Sequence, residues 1–162
     1  MKVLYDTVSS DYTHLLSKAD VGRIKDYVAP EVWRAIDYIR FGFSAKSNRA
    51  GRMVTHGRRY SIRVNFCPRR AQEGLESPIV CNDRPYLQNV RRYGGKLDLA
   101  SNTIKWDMKN ARRYAFYVLL HEIGHVDYAE KDLPGANCRH SDPREEDWCD
   151  NYSAQLMRKM GL

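Results

Sequence analysis

The chain has 162 residues, 43% of them hydrophobic, and a formal net charge of +7 from 27 Lys+Arg against 20 Asp+Glu. This size and apolar content predict one globular domain, residues 1–162, with its own core. No run approaches the roughly 18 apolar residues of a membrane span, and polar Lys2 and Asp6 come too early for a signal peptide, so the expected location is cytoplasmic.

Taken in chain order, residues 18–41 carry helical spacing, with Val21, Ile24 and Val28 on one segment and Val32, Ile36 and Ile39 on the next. The break at Ala29-Pro30 predicts two helices. Tyr60 to Phe66 alternates apolar and polar residues, which predicts a half-buried strand ended by Cys67-Pro68. Met53-Val54-Thr55, just before His56-Gly57, is placed to pair with it as a hairpin. Arg69 to Pro85 reads as a long loop, and Thr103 to Asp107 as a short strand. Cys67, Cys81, Cys138 and Cys149 form no C-x-x-C pair, so a zinc knuckle has no support. Separate thiols are expected, with a Cys67–Cys81 disulfide left open; Cys149 reads as a small core residue.

A helix is expected to begin near Lys109 and to run through the apolar stretch Tyr114 to Leu120 into His121-Glu122-Ile123-Gly124-His125. Successive helical residues advance by roughly 100°, so two histidines four apart lie about 40° from each other and can both reach one metal ion. Glu122 points aside, where it can take a proton from a metal-held water. The plainer alternative, two histidines on an ordinary polar face, fits poorly with the apolar lead-in. Gly124 would let another backbone or a substrate come close. His121 and His125 are therefore expected zinc ligands and Glu122 the expected general base.

A catalytic zinc needs a third protein ligand. His140 is one candidate. The others, Glu145 and Glu146, lie in the first turn of a further expected helix, with Asp142 as N-cap, Pro143 at its first position and Gly161 closing it. Trp148, Cys149, Tyr152, Leu156 and Met160 give that helix an apolar face.

Glu146-x-x-Cys149-Asp150-x-Tyr152-Ser153 resembles the Glu-x-x-Ala-Asp-x-Phe-Ala signature that follows His-Glu-x-x-His in the glutamate-zincin metallopeptidases, including CAAX prenyl protease and ImmA/IrrE-type groups. The resemblance covers residues 114–160, with Cys149 where alanine is usual and Tyr152 for phenylalanine. It implies that Glu146 is the third zinc ligand and that Asp150 orients a ligand histidine. It also implies a zincin-like α+β domain: a helical and sheet scaffold over residues 1–108 with a small mixed sheet, then an active-site helix and a C-terminal ligand-bearing helix over 109–162. A peptide substrate is expected along an exposed sheet edge. The spacing from His125 to His140 is similar to that in SprT-like proteases, which use three histidines and act on DNA-crosslinked proteins, but Ser141 stands where that pattern has glycine. Glu146 is favoured over His140, and Glu145 is the third choice.

Charge is uneven. Residues 1–120 hold 22 Lys+Arg against 11 Asp+Glu, and residues 121–150 hold 3 against 9. Arginine doublets at 58–59, 69–70, 91–92 and 112–113, three of them beside Tyr60, Tyr93 and Tyr114, offer a nucleic-acid surface, although an ordinary solvated basic surface reads the same and no nucleic-acid-binding motif accompanies it. The expected activity is zinc-dependent hydrolysis of a protein or peptide substrate. Tyr128, Tyr152 or His140 are candidate donors to the oxyanion. A non-catalytic zinc-fold module is the remaining alternative, and Glu122 speaks against it.

Overall fold

The computed structural model describes residues 1–42, 49–133 and 142–162. Among them are two four-stranded sheets and five helices, a small mixed α/β arrangement. No helix among the described residues is long and apolar enough to cross a membrane.

The first sheet has strand order β1-β2-β4-β3, with β1 Lys2–Tyr5, β2 Ile36–Phe41, β3 Gly51–His56 and β4 Arg59–Val64. β1, β2 and β4 run parallel, and β3 lies antiparallel to β4 as the outer strand. The crossover from β1 to β2 contains α1 Lys18–Lys25 and α2 Pro30–Ala35. Ser17 caps α1 in a capping box with Asp20, and Pro30 opens α2. The Met53–Thr55 hairpin with the Tyr60 strand forms as expected, closed at Gly57 with φ +63°.

The second expected helix is corrected: it stops at Ala35, and Ile36 and Ile39 belong to β2. Register slips between Ile36 and Tyr38, a bulge that puts Ile36, Ile39 and Phe41 all in the core. A bulged strand repeats its buried positions three apart, which imitates helical spacing. The loop expected over Arg69 to Pro85 is also corrected. It contains the hairpin β5 Arg69–Ala71 and β6 Gly74–Pro78, which joins β7 Lys96–Asp98 and β8 Thr103–Trp106 in a second, antiparallel sheet of order β5-β6-β8-β7. A helix not read from sequence, α3 Arg84–Arg92, follows, capped by Asp83. Its inward side is short, Tyr86, Leu87 and Val90, of which only Val90 is fully buried. Cys67 and Cys81 are free thiols, which removes the disulfide.

α4 Met108–Glu130 is the central element. Asp107 caps it by accepting from the Asn110 N–H at 2.8 Å. Its apolar sides pack among Ile36, Ile39, Ile62 and Val64 of the first sheet, Leu75 and Ile104 of the second, Val32 of α2 and Leu156 of α5 Pro143–Lys159. A helix covered on most sides is apolar nearly all round. From Tyr114 to Tyr128 every residue is buried except His121 and His125. Over that span the helix meets the surface only where its two histidines stand.

Candidate metal centre

Local sequence sets the two helices that carry the centre. α5 begins at Pro143, with Asp142 accepting from the Arg144 N–H at 2.8 Å and Glu145 and Glu146 in the first turn, where the helix dipole favours acidic residues. α5 packs along α4 at Gly124. A Cβ on Gly124 would lie 3.0 Å from the Cys149 Cα, so it is the α5 backbone that makes the close approach.

This crossing brings the expected ligands together. The His121 and His125 rings stand 5.0 Å apart, nearly perpendicular. Glu146 faces the Nε2 atoms of both: its Oε2 is 3.1 Å from that of His121 and its Oε1 3.8 Å from that of His125. The Nδ1 atoms are engaged behind by two other carboxylates of α5. Asp150 Oδ1 lies 2.9 Å from His121 Nδ1, and Glu145 Oε1 lies 2.7 Å from His125 Nδ1. A carboxylate on Nδ1 holds the proton there and turns the Nε2 lone pair to the front, as in metal-bound histidines. Glu145 is thus not a competing front ligand but the rear partner of His125.

Burial alone would lower the His121 pKa, but the hydrogen bonds to Asp150 and Glu146 and the charges of Glu122 and Glu146 outweigh it and raise it to about 10. For Asp150, burial would raise the pKa, yet the hydrogen bonds of His121, Tyr117 and Asn89 hold it below the ordinary carboxylate value. Glu122, Glu145, Glu146 and Asp150 crowd two imidazoles, a charge imbalance that suits a divalent cation. Two imidazoles and a carboxylate form a donor set that zinc accepts.

Cys149 is a rival third donor, since its Sγ and ring nitrogens of both histidines lie within 4.8 Å of one another. The thiol is fully buried and packs where it would be 3.3 Å from a Cβ on Gly124, in the helix crossing. Burial, and then the charges of Glu146 and Glu145, raise its pKa above the ordinary thiol value. Glu146 faces the Nε2 atoms of both rings from the open cleft and is the better placed donor.

Glu122 sits on the neighbouring flank of α4, buried beneath β3. Its carboxylate accepts the Met53 N–H, and Gly51 leaves it room: a Cβ there would fall 2.5 Å from Oε1 and 2.8 Å from Cγ. Burial, together with the charge of Glu146, raises its pKa against the lowering effects of the two histidines and the Met53 N–H. A carboxyl raised toward neutrality is suited to taking and returning protons. β3 also lines the open cleft in front of the histidines, with the carboxylates of α5 and Asn89 of α3 among its other walls.

Other expectations divide. His140 and Cys138 lie outside the described residues. Tyr128 and Tyr152 are not among the cleft-lining residues; Tyr128 packs edge-on to Trp148, and Tyr152 packs against the core. Neither is placed as an oxyanion donor. Three of the arginine doublets have a member bound to a carboxylate: Arg59 to Asp37, Arg69 to Glu76 and Arg112 to Asp20. Sequence reasoning missed Glu145 as a rear partner, the Met53 N–H and Gly51 around Glu122, and Asn89 and Tyr117 beside Asp150. Only Glu145 had a signal, four residues before Cys149 on the inward face of α5. Set against protein-family models, curated proteins and solved structures, the chain matches none of them.

Proposed function

We propose that this protein is a zincin-like, zinc-dependent metallopeptidase that works in the cytoplasm on a protein or peptide substrate. The supporting observation is the Glu146 carboxylate set between the two rings, one oxygen 3.1 Å from His121 Nε2 and the other 3.8 Å from His125 Nε2, with Asp150 and Glu145 at the two Nδ1 atoms. Zinc held by these three side chains supplies a Lewis acid for the scissile carbonyl and lowers the pKa of a water toward about 7.

The chain's own residues carry the rest. Asp150 and Glu145 keep the two rings facing forward. Glu122 accepts a proton from the attacking water as its oxygen adds to the carbonyl carbon, then returns that proton to the departing amine nitrogen as the C–N bond breaks. The Met53 N–H fixes the carboxylate that does this. The outer edge of β3 offers backbone groups to an extended peptide, which would add as a further strand beside Glu122.

The test compares wild type with Glu122→Gln on a mixture of unstructured peptides, read by mass spectrometry, with zinc content measured on both. Zinc retained and cleavage lost in the variant is the expected result. Undiminished cleavage by a zinc-loaded Glu122→Gln protein sinks the mechanism.

A further inference from the structure

We infer that Tyr117 and Asn89 are positioning residues of the metal centre, acting through Asp150 on the His121 ring; the inference rests on the metal-binding reading above. Tyr117 Oη donates to Asp150 Oδ1 at 2.8 Å, the same oxygen that lies 2.9 Å from His121 Nδ1. Asn89 Nδ2 donates to Tyr117 Oη at 2.7 Å and reaches Asp150 Oδ2 at 3.5 Å. The direction of this chain is set by its members. The Asn89 amide occupies the acceptor side of the phenol, so the phenol proton is directed to Asp150.

The arrangement solves a specific problem. The Asp150 side chain is 37% exposed, so nothing in its burial prevents it from turning to water. Tyr117 shares Oδ1 with His121 and Asn89 reaches Oδ2, so the two donors hold the carboxylate with Oδ1 against the His121 ring. The phenol can hold that place because its ring cannot move: it stacks on Tyr93 at 4.7 Å and touches the His121 ring at 5.7 Å. α3, which packs on the core through Tyr86, Leu87 and Val90, thereby also becomes part of the metal centre. Partners behind a ligand's own partner usually act on metal affinity, with effects smaller than the about 10–100-fold seen when the direct partner is lost.

The experiment is zinc affinity by chelator competition, measured for wild type, Tyr117→Phe, Asn89→Ala, Asp150→Ala and the double variant Tyr117→Phe/Asp150→Ala, with thermal melts of the metal-free proteins. Tyr117→Phe keeps the stacked ring and removes only the hydroxyl. It and Asn89→Ala are each expected to weaken zinc binding on the order of threefold to tenfold, less than Asp150→Ala. The double variant is expected to bind no more weakly than Asp150→Ala alone. Wild-type affinity in both single variants, or the same loss from Tyr117→Phe with and without Asp150, overturns the inference whatever the melts show. Zinc binding that follows the expected pattern without peptide cleavage would overturn the peptidase reading and leave this one standing. A wild type that holds no zinc overturns both.

Discussion

Glu122 and Gly51 share one space. The carboxylate of Glu122 lies where a side chain on Gly51 would have to go, and the Met53 N–H, two residues along the same strand, holds it there. Glycine on β3 is therefore required by a side chain on α4 rather than by its own backbone angles.

Gly51→Ala must push Glu122 aside, because the new Cβ would fall 2.5 Å from Oε1, with Val118 Cγ1 also at 2.8 Å. Displacing a proton-transfer group by around 1 Å costs about 10²-fold in turnover. Peptide cleavage by Gly51→Ala is expected to fall by that order while zinc content stays near wild type. Unchanged turnover would show that Glu122 does not act from this position.

Glu146 and Cys149 make opposite predictions as third donors. Glu146→Ala is expected to lose zinc, measured per chain by elemental analysis, and Cys149→Ala to keep it. The reverse pattern would transfer the third ligand to sulfur. Full retention in both variants would move the third ligand to another group, with Glu145 and His140 the next positions to test.

Glu145 behaves differently from Glu146 although it is adjacent. It holds His125 Nδ1 from behind, so Glu145→Ala is expected to retain zinc at saturating metal but with affinity weakened about 10-fold. Chelator competition separates the two carboxylates. A complete loss of zinc from Glu145→Ala would make it a front ligand.

Asp20 gives the fold a pH dependence that is independent of the metal centre. Burial would raise its pKa, but the Ser17 N–H and hydroxyl, then the Arg112 guanidinium, outweigh burial and lower it below the ordinary value of 3.8. A carboxylate depressed in the folded state contributes stability that is fully present above the unfolded pKa and is lost as pH falls through the folded pKa. Stability measured by urea unfolding should therefore drop below about pH 4, and Asp20→Asn should be less stable at neutral pH and show a shallower acid decline. An unchanged acid slope in the variant would remove Asp20 as a source.

α4 and α5 were legible because their signals are local. A capping aspartate, a proline at the first turn and an apolar stripe each involve residues a few positions apart, and the His121–His125 pairing follows from helical pitch alone. β2 was misread for a reason that is equally local: its bulge spaces Ile36 and Ile39 as a helix would. β1 went unread because its identity depends on a partner elsewhere in the chain, and β6 because its second partner is the distant β8. Lys2 to Tyr5 is a strand through its pairing with Tyr38 to Phe41.

What the sequence alone determined is the chemistry of α4 and α5: two histidines and a glutamate between them on one helix, and a cluster of carboxylates opening another. What the tertiary structure decided is which group does what. Glu145 and Glu146 differ by one helical step, and only the packing of α5 on Gly124 sends one behind His125 and the other in front. Asn89 meets Asp150 across 61 residues of chain, and the Met53 N–H reaches Glu122 from a separate sheet strand. The physical reason is range. Helical spacing and caps act over a few residues, whereas orientation of a ligand or a base is set by hydrogen bonds between elements that only folding brings within 3 Å of each other.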